Sequence, residues 1–239
     1  MRKIFVGLML GILLGATANA DSIKVGVEKL IYAPYYSYEG TKVKGAIAEV
    51  LDKFAASSGH AVVMESLPVA RLLPAMLGNE VGFKFPDNKF WGGDAKKGHN
   101  IIYSDPVFEF TDGTIVKSEN KGKTIKRLGT VRGFTAWDYL GDIKAGKVKV
   151  VEGTSLDSLL KMLEAGRIDG LYFNVVVAEK VIAKANKSGA MVFDESLPHT
   201  TSHYHLSANA NQKIIDDFNA FMKKESAWIQ SLKTKHGIN

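Results

Sequence analysis

The strongest constraint on this chain is an alternation of strand-like and helix-like segments that runs once and then starts again. Residues 23–27 alternate apolar and polar side chains, the period of a strand. Ala33-Pro34-Tyr35-Tyr36 breaks that run. Over residues 45–58, Ile47, Val50, Leu51 and Phe54 recur at helical spacing, and Gly59 stops the helix. A second strand is predicted at 61–65. Pro68 opens a second helix carried by Leu72, Leu73, Met76 and Leu77, with Pro74 predicting a kink or a late start. A third strand at 81–85 leads into a long loop over 86–100 and extended pieces at 101–103 and 107–116. The order then repeats, with strands at 128–131, 147–151, 169–173 and 191–193 and helices at 135–145, 155–165 and 174–187. A strand at 203–207 and two helices close the chain. Each block predicts a parallel sheet flanked by helices. Two blocks with a C-terminal return predict two lobes joined by two crossings, near 111–114 and 198–201.

The N-terminus carries its own signal. Arg2 and Lys3 precede an apolar run over 4–15, and Ala18-Asn19-Ala20 follows. That order predicts a signal peptide, residues 1–20, cleaved after Ala20. The apolar run is shorter than the roughly 20 residues a membrane-spanning helix needs. The expectation is a soluble protein exported to the periplasm. There is no cysteine, which excludes thiol nucleophiles, Cys-ligated zinc and a lipid-modified N-terminal Cys. The formal net charge is +6, but the lysines are scattered without a block of like charge. This predicts a solvated surface and no nucleic-acid partner.

Catalytic motifs are sparse. No G-x-S-x-G, H-E-x-x-H or G-x-G-x-x-G occurs. Gly122-Lys123-Thr124 resembles the end of a P-loop, but Lys117 stands where its first glycine belongs. His199, His203 and His205 cluster, yet such histidines are more often structural, and no metal or cofactor is expected. Glu49 and Asp52 fall near one helix face and predict a solvated pair. Ligands of open α/β sheets sit beyond the carboxyl ends of strands. The loop after the first strand offers Tyr32, Tyr35 and Tyr36, and the loop after the third offers Trp91, Lys96 and Lys97. In the second block, Arg132-Gly133-Phe134-Thr135 predicts a glycine turn entering a helix, with Thr135 as its N-cap. Such a turn exposes backbone N–H groups, and Arg132 would add a forked donor.

Several segments together resemble solute-binding protein family 3, the periplasmic components of polar amino-acid-type ABC transporters. They are Ile23-Lys24-Val25-Gly26-Val27, Ala33-Pro34-Tyr35-Tyr36 and Gly45-Ala46-Ile47-Ala48-Glu49. Pro68-Val69-Ala70-Arg71-Leu72-Leu73, Tyr103-Ser104-Asp105-Pro106 and Leu163-Glu164-Ala165-Gly166-Arg167-Ile168-Asp169-Gly170 continue the series. The resemblance implies an α/β type II periplasmic binding fold, two lobes with a hinge and an inter-lobe cleft. It also implies that Tyr35 stacks on ligand, that Arg71 reaches the cleft, and that Arg132 to Thr135 donate hydrogen bonds. Family members usually grip the ligand carboxylate with an arginine where Lys97 falls, and its amine with an aspartate where Asn174 falls. Lysine lacks the planar fork and asparagine lacks the charge, so this departure points toward an anionic or polar solute without a free amine.

The resulting expectation is a monomeric, non-enzymatic binding protein that captures a small solute and delivers it to a membrane ABC permease. The ligand-binding candidates are Tyr35, Arg71, Trp91, Lys97, Arg132, Gly133, Phe134, Thr135 and Asn174. One lobe comprises residues 21–112 and 200–239, the other 113–199. The alternatives are a ligand-sensing partner of a membrane receptor and a dehydratase-like enzyme on the same fold.

Overall fold

The computed structural model describes residues 22–238, so the leader over 1–20 lies outside the described residues. The chain opens with β1 (Ser22–Glu28), the hairpin β2 (Ser37–Glu39) and β3 (Lys42–Lys44), and α1 (Ala46–Ser58). It continues through β4 (Ala61–Leu67), α2 (Val69–Leu77), β5 (Phe83–Asp87), α3 (Gly93–Lys96) and β6 (Ile101–Tyr103). A long strand, β7 (Phe108–Lys117), leads to β8 (Arg127–Val131), α4 (Leu140–Lys144), β9 (Lys149–Gly153) and α5 (Leu156–Glu164). Then come β10 (Gly170–Asn174), α6 (Val175–Lys184), β11 (Met191–Phe193), the long return strand β12 (Thr200–Asn209), α7 (Gln212–Lys224) and α8 (Ser226–His236).

The strands form one ribbon of sheet in the order β4-β1-β5-β12-β7-β10-β8-β9. At one end β1 lies parallel between β4 and β5, and at the other β8 lies parallel between β10 and β9. Between these two parallel blocks, β7 and β12 run antiparallel to each other and to their outer neighbours. They pair with each other over Phe108–Asp112 and Thr200–Tyr204, and then each goes its own way. Beyond Asp112, β7 continues against β10 and β11, while beyond Tyr204 β12 pairs with β5 and β6. The two halves of the sheet are thus the cores of two lobes, and this two-stranded ribbon connects them.

Helix packing follows the apolar periodicity. Ile47, Leu51 and Phe54 of α1 are fully buried, and Phe54 meets Phe218 of α7 edge-on at 5.2 Å. Each such side chain contributes about 1.5–3 kcal/mol by leaving water. In the other lobe α5 buries Leu156, Leu159, Leu160 and Leu163, and Ser155 caps it through a reciprocal bond with Ser158. Pro74 is accommodated inside α2, which starts directly after Pro68. Glu49 is not part of a solvated pair with Asp52, since it binds Lys235 at 2.7 Å and His236 at 2.8 Å and so ties α1 to α8.

The predicted helix over 135–145 is only a short turn at Trp137–Tyr139 followed by the five-residue α4. Gly133, Thr135 and three aromatic residues between 134 and 139 are weak helix formers. Thr135 therefore caps no helix, and the anion-binding helix terminus expected beside Arg132 does not form. No helix among the described residues is long and apolar enough to cross a membrane.

Candidate functional site

The carboxyl ends of β1, β5, β8 and β10 converge on one cavity of about 80 Å³ between the lobes. The first lobe contributes Glu28, Tyr32, Val69, Leu73, Lys84 and Trp91. The second contributes Gly133, Phe134, Thr135, Tyr172 and Phe173, and Asp112 of β7 lies where the two meet.

The lobes touch directly. Gly133 has φ +90, and a Cβ built there would lie 2.6 Å from the backbone nitrogen of Ala70 in α2. Only glycine permits both that backbone and that approach. The Gly92 N–H donates to the Thr135 hydroxyl at 3.4 Å, and the rings of Phe90 and Trp137 meet at 4.9 Å. The walls are aromatic. Phe134 stacks on Phe173 at 5.3 Å, and Tyr32 packs against Phe173 at 5.2 Å and Phe134 at 6.2 Å.

Beneath the first-lobe wall lies a charged network. Asp87 is fully buried and accepts from Lys84 at 2.8 Å, Lys96 at 2.9 Å and the Ser207 hydroxyl at 2.7 Å. A register shift in β12 between His205 and Ser207 accompanies that last contact. Burial alone would raise the Asp87 carboxyl, but the Lys84 and Lys96 ammoniums outweigh it and hold it below its usual value. Lys84 also lies 5.2 Å from the centre of the Trp91 ring. Glu28 accepts from the Tyr36 hydroxyl, and burial raises its carboxyl against the opposing pull of Lys84.

Asp112 is different. Its Oδ1 is enclosed and has no hydrogen-bond partner, one of two such side-chain atoms among the described residues. Burial pushes its carboxyl up to about 8, and the neighbouring Asp138 and Glu28 carboxylates add to the effect. The phenol of Tyr172, which shares the cavity, is committed elsewhere, donating to Asp138 at 2.6 Å.

Of the nine ligand-binding candidates, four line this cavity, Trp91, Gly133, Phe134 and Thr135, and Tyr32 from the loop after the first strand joins them. The other five candidates do not. Tyr35 is buried in the core and donates to the Glu109 carbonyl at 3.1 Å. Asn174 is buried as the N-cap of α6, accepting from Val177 N–H and donating to the Tyr204 hydroxyl. Arg71 turns outward to Glu80, Lys97 to Asp94 and Arg132 to Glu152. Each of these three found a carboxylate on its own stretch of surface. The ligand preference read from Lys97 and Asn174 therefore has no footing in the cavity. The charged groups that do line it, Glu28, Lys84 and Asp112, were missed. One signal was available: a lysine between Phe83 and Phe85 in a strand, with Asp87 three residues on. Of the histidines, His199 binds the Leu197 carbonyl, His203 faces Glu109 and His205 binds the Ser104 carbonyl. No group of three or more potential metal ligands occurs among the described residues.

No family model matches the chain, and no curated protein matches it in sequence. Solved structures do match it over nearly its full length. An ancestral arginine-binding protein bound to arginine is 20% identical, with 90% of this chain and 97% of that one covered, at a TM-score of 0.72. An arginine transport-system periplasmic binding protein from Legionella pneumophila is 17% identical, covering 90% and 99%, at a TM-score of 0.71. This chain has the type II periplasmic binding fold. A histidine kinase sensor domain with similarity to periplasmic binding proteins shares it too, at 17% identity, 91% and 97% coverage and a TM-score of 0.74. At these identities the likeness is one of fold, with the two-lobed architecture and inter-lobe cleft that the sequence resemblance implied.

Proposed function

We propose that this protein is a periplasmic solute-binding protein that closes its two lobes around a small polar solute and hands it to a membrane ABC permease. The observation that carries this reading is the cavity itself, walled by both lobes, which touch where Gly133 meets Ala70. A ligand that touches both walls only when they are together stabilises the closed form by its extra contacts. Residues 21–112 with 200–239 form one lobe in this reading, and 113–199 the other. The leader over 1–20 directs export, and the mature protein works as a monomer. The cleft binds rather than catalyses, in keeping with the binding proteins and sensor domain that share the fold.

Gly133→Ala tests the closure. The added methyl meets α2 backbone, so the variant is expected to scatter X-rays as a more open particle at saturating ligand and to bind at least about tenfold more weakly. Identical scattering curves for native and variant protein, each with and without ligand, would refute closure. The sensor-domain neighbour supports a second reading, a ligand-sensing partner of a membrane receptor. Deleting the gene separates the two: lost uptake of the ligand supports delivery, and intact uptake with a lost response supports sensing.

A further inference from the structure

We propose that the solute is a compact organic amine with no carboxylate of its own, its N–H groups seated on Asp112 between the aromatic walls. This rests on reading the cleft as a solute site.

Three observations converge. The first is the unpartnered Asp112 Oδ1, an enclosed acceptor in a residue that lines the cavity. Buried acceptors are almost always satisfied, and a donor brought by the ligand would complete this one. The second is the balance of charge on the wall. Glu28 and Asp112 line the cavity against a single cation, Lys84, and Lys84 is already held by Asp87. Lys96, behind the wall, is also bound to Asp87. An anionic solute would meet two acids and no free base. The third is the wall itself. Tyr32, Trp91, Phe134 and Phe173 present aromatic surface, which attracts a cation. A primary or secondary ammonium satisfies all three at once. A quaternary ammonium has no N–H for Asp112, and a carboxylate would meet Glu28 and a lysine already paired with Asp87.

Protonation follows from the same placement. The acids facing Asp112 are Glu28 from β1 and Asp138 from the turn before α4, and the phenols are those of Tyr32, Tyr35, Tyr172 and Tyr204. Lys84 of β5 shares the cavity. In the ligand-free protein the Asp112 carboxyl, raised to about 8, holds its proton through neutral pH. A bound ammonium favours the carboxylate, so binding displaces that proton. Affinity should rise with pH up to about 8, by up to roughly tenfold per unit.

The test is titration calorimetry with putrescine, ethanolamine and tyramine against succinate, glycolate and 4-hydroxyphenylacetate. Tetramethylammonium, arginine and glutamine complete the panel. At least one amine should bind about 30-fold or more tightly than its acid counterpart and than tetramethylammonium, at pH 8 better than at pH 6. Asp112→Asn should weaken that amine about 30-fold or more while its melting temperature shows it folded. Tighter binding of an acid or amino acid, or undiminished amine binding by folded Asp112→Asn, overturns the inference and leaves the solute-binding reading standing. If no probe binds, mass spectrometry of the protein purified from periplasmic extract decides. A co-purifying amine without a carboxylate upholds the inference, and any other small molecule overturns it alone. No small molecule at all overturns both readings.

Discussion

Asp87 and Asp112 sit on strands separated by one neighbour in the sheet, and the protein treats them in opposite ways. Asp87 is enclosed with two ammoniums and a hydroxyl, and its carboxyl is held low. Asp112 is enclosed among acids and phenols without a donor, and its carboxyl is pushed up to about 8. Burial acts on both in the same direction, so the difference lies in the partners. A satisfied buried charge belongs to the scaffold. An unsatisfied one on a cavity wall is available to something that comes and goes.

The contrast breaks first at Asp87. Asp87→Asn takes from Lys84 and Lys96 the carboxylate they share, and should destabilise the protein by about 3–5 kcal/mol in denaturant unfolding. A loss below about 1 kcal/mol would mean the network is not structural. The opposite sign is expected at the other site. Asp112 has a folded-state pKa raised from 3.8 to about 8, so its contribution to stability is full below about 4 and is lost as pH climbs to about 8. Ligand-free Asp112→Asn should match the native protein near pH 4 and exceed it by about 1–3 kcal/mol at pH 8. Parallel stability–pH curves for the two proteins would remove the distinction between the aspartates. The smallest effect is reserved for the surface cations. Arg71→Ala and Arg132→Ala should change stability by less than about 0.5 kcal/mol and leave ligand affinity within about twofold. A tenfold loss at either would return it to the cleft.

These cations show where sequence stops informing. The alternation of periods gave the order of strands and helices, because backbone pairing and apolar burial are read from local spacing. The faces of α1 and α5 were legible for that reason. The hairpin at Ser37–Lys44 was not, having only three residues per strand and no alternation long enough to register. The helix expected at 135–145 shortens to a turn and the five-residue α4, because a capping pattern is local and the weak helix formers behind Gly133 do not sustain the helix it would start. The polarity of the cleft was the least legible property. A lysine's spacing does not say whether it points to solvent, as Lys97 does, or folds back onto a buried aspartate, as its neighbour Lys96 does. That depends on Asp87 reaching the same point from a strand nine residues earlier in the chain.

The ribbon of β7 and β12 carries a mechanical consequence. Asp112 stands where β7 changes partners, facing Thr200 on one side and Asn174 on the other. If the lobes rotate about this ribbon, Asp112 is at the fulcrum and hardly travels, while parts of each lobe farther from the ribbon sweep longer arcs. A solute can then dock on a nearly stationary seat before the lobes move, and a slight twist of two strands is enough to bring the walls of the cleft together over it.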